Sequence, residues 1–424
     1  MSIEEELAIY LNKPGFQMFI DAWIFQYKRL GRLGGKIVLD NLDEDQKDCL
    51  SGLGLDLSNN KLELTYSQFQ KKLEKTRFVG VDFLKTLEIL NQSLIYSRKE
   101  LKELRTLELD EFKDLLLESF QNTKAYDWLN YYLSTDRYVK KYFEYDSKTY
   151  QSIIENVCHA INQLPVYQSR FELMPVFSQN ITKNPHYFDE DLPRDLLMRG
   201  IEYYLDYKES TFQSLKVIDI LYSAGILKDD LSNYCYVCHI LPQNVYPSWQ
   251  GFYDAYEPWN MNLYNMNAIK DKFVPSDVFI FENPSVFRMM CDFIKRQRMN
   301  IGLICSNGQI NFCTYLLLDK LIDSECQLYY AGDFDPEGLI IAEKLKQRYK
   351  DLILFGYSAL LFERIKVQQV EISTKRLQML NQIKTPDLQT IAKCIKQEYA
   401  FGYQEGLIDF YQVEILKMKE LITK

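Results

Sequence analysis

The sequence predicts a multidomain α+β protein, with mainly helical N-terminal and middle regions followed by a C-terminal α/β domain built on a parallel sheet. Three observations carry this reading. From Val278 onward, short apolar runs alternate with helical stretches, the rhythm of a parallel sheet with short crossovers. Upstream, apolar residues recur mostly at helical spacing. A length of 424 residues leaves room for two or three domains with substantial cores.

Residues 1–95 read as a compact helical domain with a small strand element. Ala22 to Leu33 is helix-like and basic at its end, Gly34-Gly35 breaks it, and Lys36-Ile37-Val38-Leu39 is a short strand. Asp43-Glu44-Asp45 starts another helix, and Lys61-Leu62-Glu63-Leu64 alternates as an exposed strand does. Helix, turn, helix and ribbon suit a winged-helix-like module that touches DNA or a partner protein. A purely structural docking domain accounts for the same pattern equally well.

Residues 96–210 read as a helical arm or middle region. Leu101, Leu104, Leu107, Leu109, Phe112, Leu115, Leu116 and Leu117 recur near helical spacing among Lys-Glu surface pairs. The aromatic run from Tyr126 to Tyr145 suits core and interface better than a base-stacking platform. Residues 211–265 read as a connecting, winged-helix-like region: a helix from Leu215 to Leu227, a capping-rich turn at Asp229-Asp230-Leu231-Ser232-Asn233, an apolar strand, and a further strand at Trp259–Leu263. Cys235-Tyr236-Val237-Cys238-His239 spells a haem-attachment motif, but the run is apolar and buried thiols explain it better. A zinc site would need two more ligands, and the other histidines are His159 and His186.

The chain has no run of 18 apolar residues, and its acidic start does not read as a signal peptide. Nine cysteines without framework spacing point to a reducing, cytoplasmic setting. A net charge of −9 argues against indiscriminate coating of DNA, while leaving room for local basic surfaces. Arg288, Lys295, Arg296 and Arg298 form one such group, and Lys344, Lys346, Arg348 and Lys350 another. Both read as solvated helix faces or as a DNA-facing surface beside the acidic residues described next.

Those acids end two strands. Val278-Phe279-Ile280-Phe281 is wholly apolar, as in a strand buried on both faces, and stops at Glu282, with Asn283 and Pro284 opening a helix. Leu328-Tyr329-Tyr330-Ala331 leads into Gly332-Asp333-Phe334-Asp335, and Pro336 opens the next helix. Asp333 and Asp335 are two apart, so extended backbone points them to one side. Ligands in open α/β sheets collect at the carboxyl ends of strands. The oxygen-rich set of Glu282, Asp333 and Asp335 therefore suits Mg²⁺ or Mn²⁺. Glu337, just inside a helix N-terminus, and Glu405, in Tyr403-Gln404-Glu405-Gly406-Leu407, are further candidate ligands. Acids at strand ends also serve as helix caps, but three together with Asn307-Gly308-Gln309 between them favour a site.

This arrangement resembles the Toprim fold of topoisomerases, primases and related nucleases, in which a Glu ends the first strand and an Asp-x-Asp a later one. The Gly-Asp-x-Asp-Pro-x-Gly form is similar to that of the A subunit of type IIB topoisomerases. Glu282-Asn283-Pro284, Cys305-Ser306-Asn307-Gly308-Gln309 and Gly332-Asp333-Phe334-Asp335-Pro336-Glu337-Gly338-Leu339 together resemble the JetD-type Toprim nucleases of Wadjet plasmid-defence systems. Lys13-Pro14-Gly15-Phe16, the stretch from Lys28 to Gly35 and Arg77-Phe78 are similar to the opening domain of the same branch. The likeness covers roughly the first 90 and the last 210 residues.

The resemblance implies that residues 266–424 are a Toprim catalytic domain of a Mg²⁺- or Mn²⁺-dependent DNA endonuclease. It implies catalytic and metal-binding roles for Glu282, Asp333 and Asp335. It further implies a homodimer that works with a condensin-like SMC ATPase, its kleisin and accessory subunit to cut closed-circular plasmid DNA. A type IIB topoisomerase-like transesterase using a tyrosine, and a non-catalytic DNA- or partner-binding subunit, are the alternatives. No tyrosine here lies in a stretch matching a nucleophile motif, and a metal-activated water needs none, so hydrolysis is expected.

Overall fold

In the computed structural model, residues 1–57, 60–205, 215–244, 246–368 and 371–422 are described. The boundary expected at 210/211 lies outside them. The chain divides into two compact units: residues 1–122 with 129–151, and 123–128 with 152–424.

The first unit is helical around an aromatic core of Phe19, Trp23, Phe69 and Phe83, all essentially buried. Its ribbon pairs β1 (Lys36–Leu39) antiparallel with β2 (Leu62–Thr65), placing Leu62 and Leu64 inward as the alternation predicts. The basic helix spans Gln17–Leu30 and stops at Gly31, whose left-handed φ of 70° closes it before the expected break at Gly34-Gly35. Asp43 caps the helix Glu44–Gly52 with a capping box to Gln46. Of the aromatic run, Tyr132 is buried, whereas Tyr131 and Tyr145 are exposed; Trp128, also buried, belongs to the second unit.

The second unit is organised by a six-stranded sheet. Two short parallel strands, β3 (Glu172–Leu173) and β4 (Ile226–Leu227), pair outside it. The sheet consists of β5 (Tyr234–Cys238), β6 (Trp259–Asn262), β7 (Asp277–Phe281), β8 (Ile301–Cys305), β9 (Gln327–Ala331) and β10 (Ile353–Leu354), in the order β10-β9-β7-β8-β5-β6. The parallel expectation holds for β10, β9, β7 and β8. It is corrected for β5 and β6, which pair antiparallel with each other, β5 also joining β8 antiparallel. Residues read as a connecting region thus complete the sheet. Their Cys235 and Cys238 side chains are buried in its core, and His239 is sandwiched between the rings of Tyr253 and Tyr256, at 3.8 and 4.0 Å.

Burial on both faces explains the apolar runs: Val278 to Phe281 and Leu303 to Cys305 are essentially inaccessible. The chain runs from β7 to β8 on one side and then to β9 on the other side of β7. The strand order therefore reverses between β7 and β9, which opens a crevice at their carboxyl ends. A final antiparallel pair, β11 (Lys366–Gln368) with β12 (Ala400–Gly402), reaches this crevice, because Gly402 exchanges backbone hydrogen bonds with Phe334 at 2.8 and 3.0 Å.

Candidate active site

The register sets the two acidic strand ends side by side. Phe281 is level with Ala331, and the Glu282 N–H donates to the Ala331 carbonyl at 3.1 Å. The Glu282 side chain then turns toward β9, where Oε2 accepts from the Asp333 N–H at 3.2 Å and from the Tyr330 hydroxyl at 3.4 Å. On the other flank, the turn after β8 closes on the same residue, with the Gly308 N–H donating to the Glu282 carbonyl at 3.3 Å.

Two glycines of the second strand end leave the space that Glu282 fills. A Cβ at Gly332 would stand 2.6 Å from Glu282 Oε2 and 2.9 Å from the hydroxyls of both Tyr330 and Tyr357. A Cβ at Gly338 would stand 3.1 Å from the same carboxylate oxygen and 2.5 Å from the Asp333 carbonyl oxygen. The glycines of this motif are thus explained by close packing rather than by unusual backbone angles.

The C-terminal segment supplies the rest. Asp333 Oδ1 accepts from the Gln404 N–H at 2.8 Å, while the Gln404 side-chain oxygen accepts from the Asn283 N–H at 3.1 Å. Glu405 accepts from the Asn283 amide at 2.7 Å, which places it beside Glu282 on an exposed turn. Asp335 caps the helix Pro336–Arg348: its Oδ1 accepts from the Gly338 N–H at 2.7 Å. Its Oδ2 accepts from Arg376 at 3.1 Å. Glu337 turns to Arg376 as well, accepting from its Nε at 2.8 Å. Sequence reasoning missed Arg376, Gln404 and the tyrosines. Gln404 adjoins the flagged Glu405, but no local signal marks Arg376.

Burial dominates the electrostatics. It pushes the Glu282 carboxyl up to about 7, with the neighbouring charges of Asp333 and Asp335 adding to the shift. It pushes Asp333 up to about 6, against the pull of the Gln404 N–H. Asp335 is raised by burial too, with the Gly338 N–H opposing. For Glu337, burial raises the carboxyl but the Arg376 contacts prevail and hold it below the usual range.

The donor set is hard and all-oxygen, which suits Mg²⁺ or Mn²⁺. Among the described residues, Glu282 Oε1 and Asp333 Oδ2 accept no hydrogen bond, so each acid keeps one oxygen open. Around them the Tyr357 and Tyr411 hydroxyls and the Gln404 amide nitrogen are buried without a hydrogen-bond partner. Among the described residues no three or more His, Cys, Asp or Glu side chains are placed to hold a metal ion, so the expected set of Glu282, Asp333, Asp335 and Glu337 is not assembled; Arg376 engages Asp335 and Glu337.

The basic groups lie on the two helices that follow the acidic strand ends, and their ion pairs suit solvated helix faces. Arg296 and Arg298 lie at the far end of the helix Pro284–Gln297 from Glu282, and Lys346, Arg348 and Lys350 lie at or beyond the far end of the helix that Asp335 caps. Most are engaged: Arg288 with Asp292, Lys295 with Glu257, Arg348 with Asp319, and Lys346 with the carbonyls of Lys350 and Leu352. Cations at helix carboxyl ends are favourable without any ligand.

Two family models match the chain. Residues 33–242 match one described as "Protein of unknown function N-terminus (DUF3323)", and residues 259–412 match one described as "Protein of unknown function C-terminus (DUF2399)". The sheet draws on both matched stretches, because β5 falls in the first and β6 to β10 in the second. No curated protein matches the chain. Among the described residues, no helix is long and apolar enough to cross a membrane.

Proposed function

We propose that this chain, with its DUF3323 N-terminus and DUF2399 C-terminus, is a divalent-metal-dependent Toprim-type DNA endonuclease of a Wadjet-like plasmid-defence system. The observation that carries the reading is the meeting of Glu282 and Asp333 at the switch point between β7 and β9, each with an open carboxylate oxygen. The motif resemblance supplies the substrate: double-stranded, closed-circular plasmid DNA. It also supplies the partners, an SMC ATPase with its kleisin and accessory subunit, and the homodimer.

In this reading Glu282 and Asp333, with Asp335 once it is released from Arg376, hold Mg²⁺ or Mn²⁺. The bound ion would supply a Lewis acid for the scissile phosphate and an activated water. The protein's own part is positional. The Asp333 N–H and Tyr330 fix Glu282, the Gln404 N–H fixes Asp333, and the capped helix fixes the backbone of Asp335. Raised carboxyl affinities for protons in the metal-free site become affinity for a cation once one is present.

The test is cleavage of closed-circular plasmid by the purified chain, alone and with its SMC assembly, in EDTA and in Mg²⁺ or Mn²⁺. Nicking or linearisation that needs the metal and the assembly, and that disappears in Asp333→Asn, is the expected outcome. Folded Asp333→Asn protein cutting at the wild-type rate would sink the assignment. Running the product on a denaturing gel with and without protease decides the chemistry: free ends mean hydrolysis, and DNA that enters only after proteolysis means a tyrosine adduct.

A further inference from the structure

Arg376 lies outside every motif described above, on the short helix Thr374–Met379. Its guanidinium nevertheless spans two acids of the site. Nε donates to Glu337 at 2.8 and 3.1 Å, and Nη2 donates to Asp335 Oδ2 at 3.1 Å as well as to Glu337. Its Cζ stands 4.6 Å from the centroid of the Phe401 ring. Phe401 belongs to β12, and the next residue, Gly402, is bridged to Phe334 between the two aspartates. The same backbone thus carries the aromatic seat of Arg376 and braces the acidic strand end. With Arg376 in place, both oxygens of Asp335 are taken, one by the Gly338 N–H and one by the guanidinium.

We propose that Arg376 is a positioning residue with two alternating partners. It holds Asp335 while the site lacks a cation, and it turns to a nucleic-acid phosphate when a divalent cation claims Asp335. This inference rests on the metal-dependent reading of the site. A guanidinium carries its charge at all working pH, so it and a divalent cation compete for the same carboxylate oxygen. Asp335 is only 20% exposed, and so that competition is poorly screened. Glu337 is 39% exposed, and an ion pair so open to solvent rearranges at little cost. The planar fork that grips Glu337 through two nitrogens also matches the geometry of a phosphate. Stacking on Phe401 gives the guanidinium a pivot at the mouth of the site rather than a buried socket.

Titrating Mn²⁺ calorimetrically into the metal-free full-length protein, without DNA, tests the first half. Arg376→Gln should bind Mn²⁺ about tenfold tighter than wild type, because a competing positive charge is gone. Arg376→Lys, which keeps the charge, should stay near wild type. The second half is read by fluorescence anisotropy of a labelled duplex in Ca²⁺ buffer. Both variants should bind DNA several-fold more weakly, and Arg376→Gln should show a shallower salt dependence. Arg376→Gln with a wild-type circular dichroism spectrum and unchanged or weaker Mn²⁺ affinity would make Arg376 a structural strut and overturn the inference. If Arg376→Gln does not fold, Arg376→Lys decides by itself: wild-type DNA affinity overturns the proposal. A wild type that binds Mn²⁺ yet never cuts DNA would refute the nuclease reading alone, since the Mn²⁺ comparison needs no cleavage. A wild type that binds no Mn²⁺ overturns both.

Discussion

The Glu282 carboxylate accepts the backbone N–H of Asp333 at 3.2 Å, so a side chain from the end of β7 is held by the peptide at the end of β9. This contact couples the two acids more tightly than their positions on neighbouring strands require. It orients Glu282 toward the crevice and leaves the Asp333 side chain to be fixed separately by Gln404. It also depends on the absence of a side chain at Gly332, where a Cβ would stand 2.6 Å from the same oxygen.

Gly332→Ala therefore should expel Glu282 from its place while leaving the fold standing. A shift of about 1 Å at a reacting centre costs on the order of a hundredfold in rate. We expect a loss of that order in plasmid cleavage, with a circular dichroism spectrum like that of wild type. Wild-type rates would show that the Glu282 contact is dispensable.

Glu282→Gln tests the electrostatics without DNA. The Glu282 carboxyl is raised from its ordinary 4.5 to about 7, so the fold favours its protonated form. Its contribution to stability is complete below about 4.5 and is lost as pH rises through about 7. The variant has no such loss. Metal-free Glu282→Gln should match wild type near pH 4.5 and exceed it at pH 8 by on the order of 1–3 kcal/mol. Urea unfolding of both proteins at the two pH values, in EDTA, measures this. A constant difference across the range would contradict the burial argument.

Asp335 carries two roles that two substitutions separate. Its Oδ1 caps the helix Pro336–Arg348, and in the proposed reading its charge serves the metal site. Asp335→Ala and Asp335→Asn both remove the charge, but only Asn keeps a capping oxygen. We expect Asp335→Asn to be more stable than Asp335→Ala by about 1 kcal/mol, with cleavage abolished in both. Equal thermal midpoints would mean that the cap contributes nothing.

Much of this site is legible along the chain. Apolar runs that end in Glu282 and in Asp333-Phe334-Asp335 mark strands whose carboxyl ends face a ligand, since period and burial are local consequences of backbone geometry. Pro284 and Pro336 mark the helices that follow, because proline is tolerated at a first helical turn. Which strands become neighbours is not local. Nothing in the sequence joins Tyr234–Cys238 and Trp259–Asn262 to the sheet, because a short strand does not announce its partner. Nor does any spacing bring Arg376 to Asp335, 41 residues away, or Gln404 to Asp333, 71 residues away. By itself the sequence determined the strand ends, their acids and the helices they open, through rules that act over a few residues. Only the tertiary structure decided that β9 lies beside β7, that two glycines make room for one carboxylate, and that an arginine stands against Asp335. Those outcomes depend on which surfaces bury one another, and burial is settled by the whole chain at once.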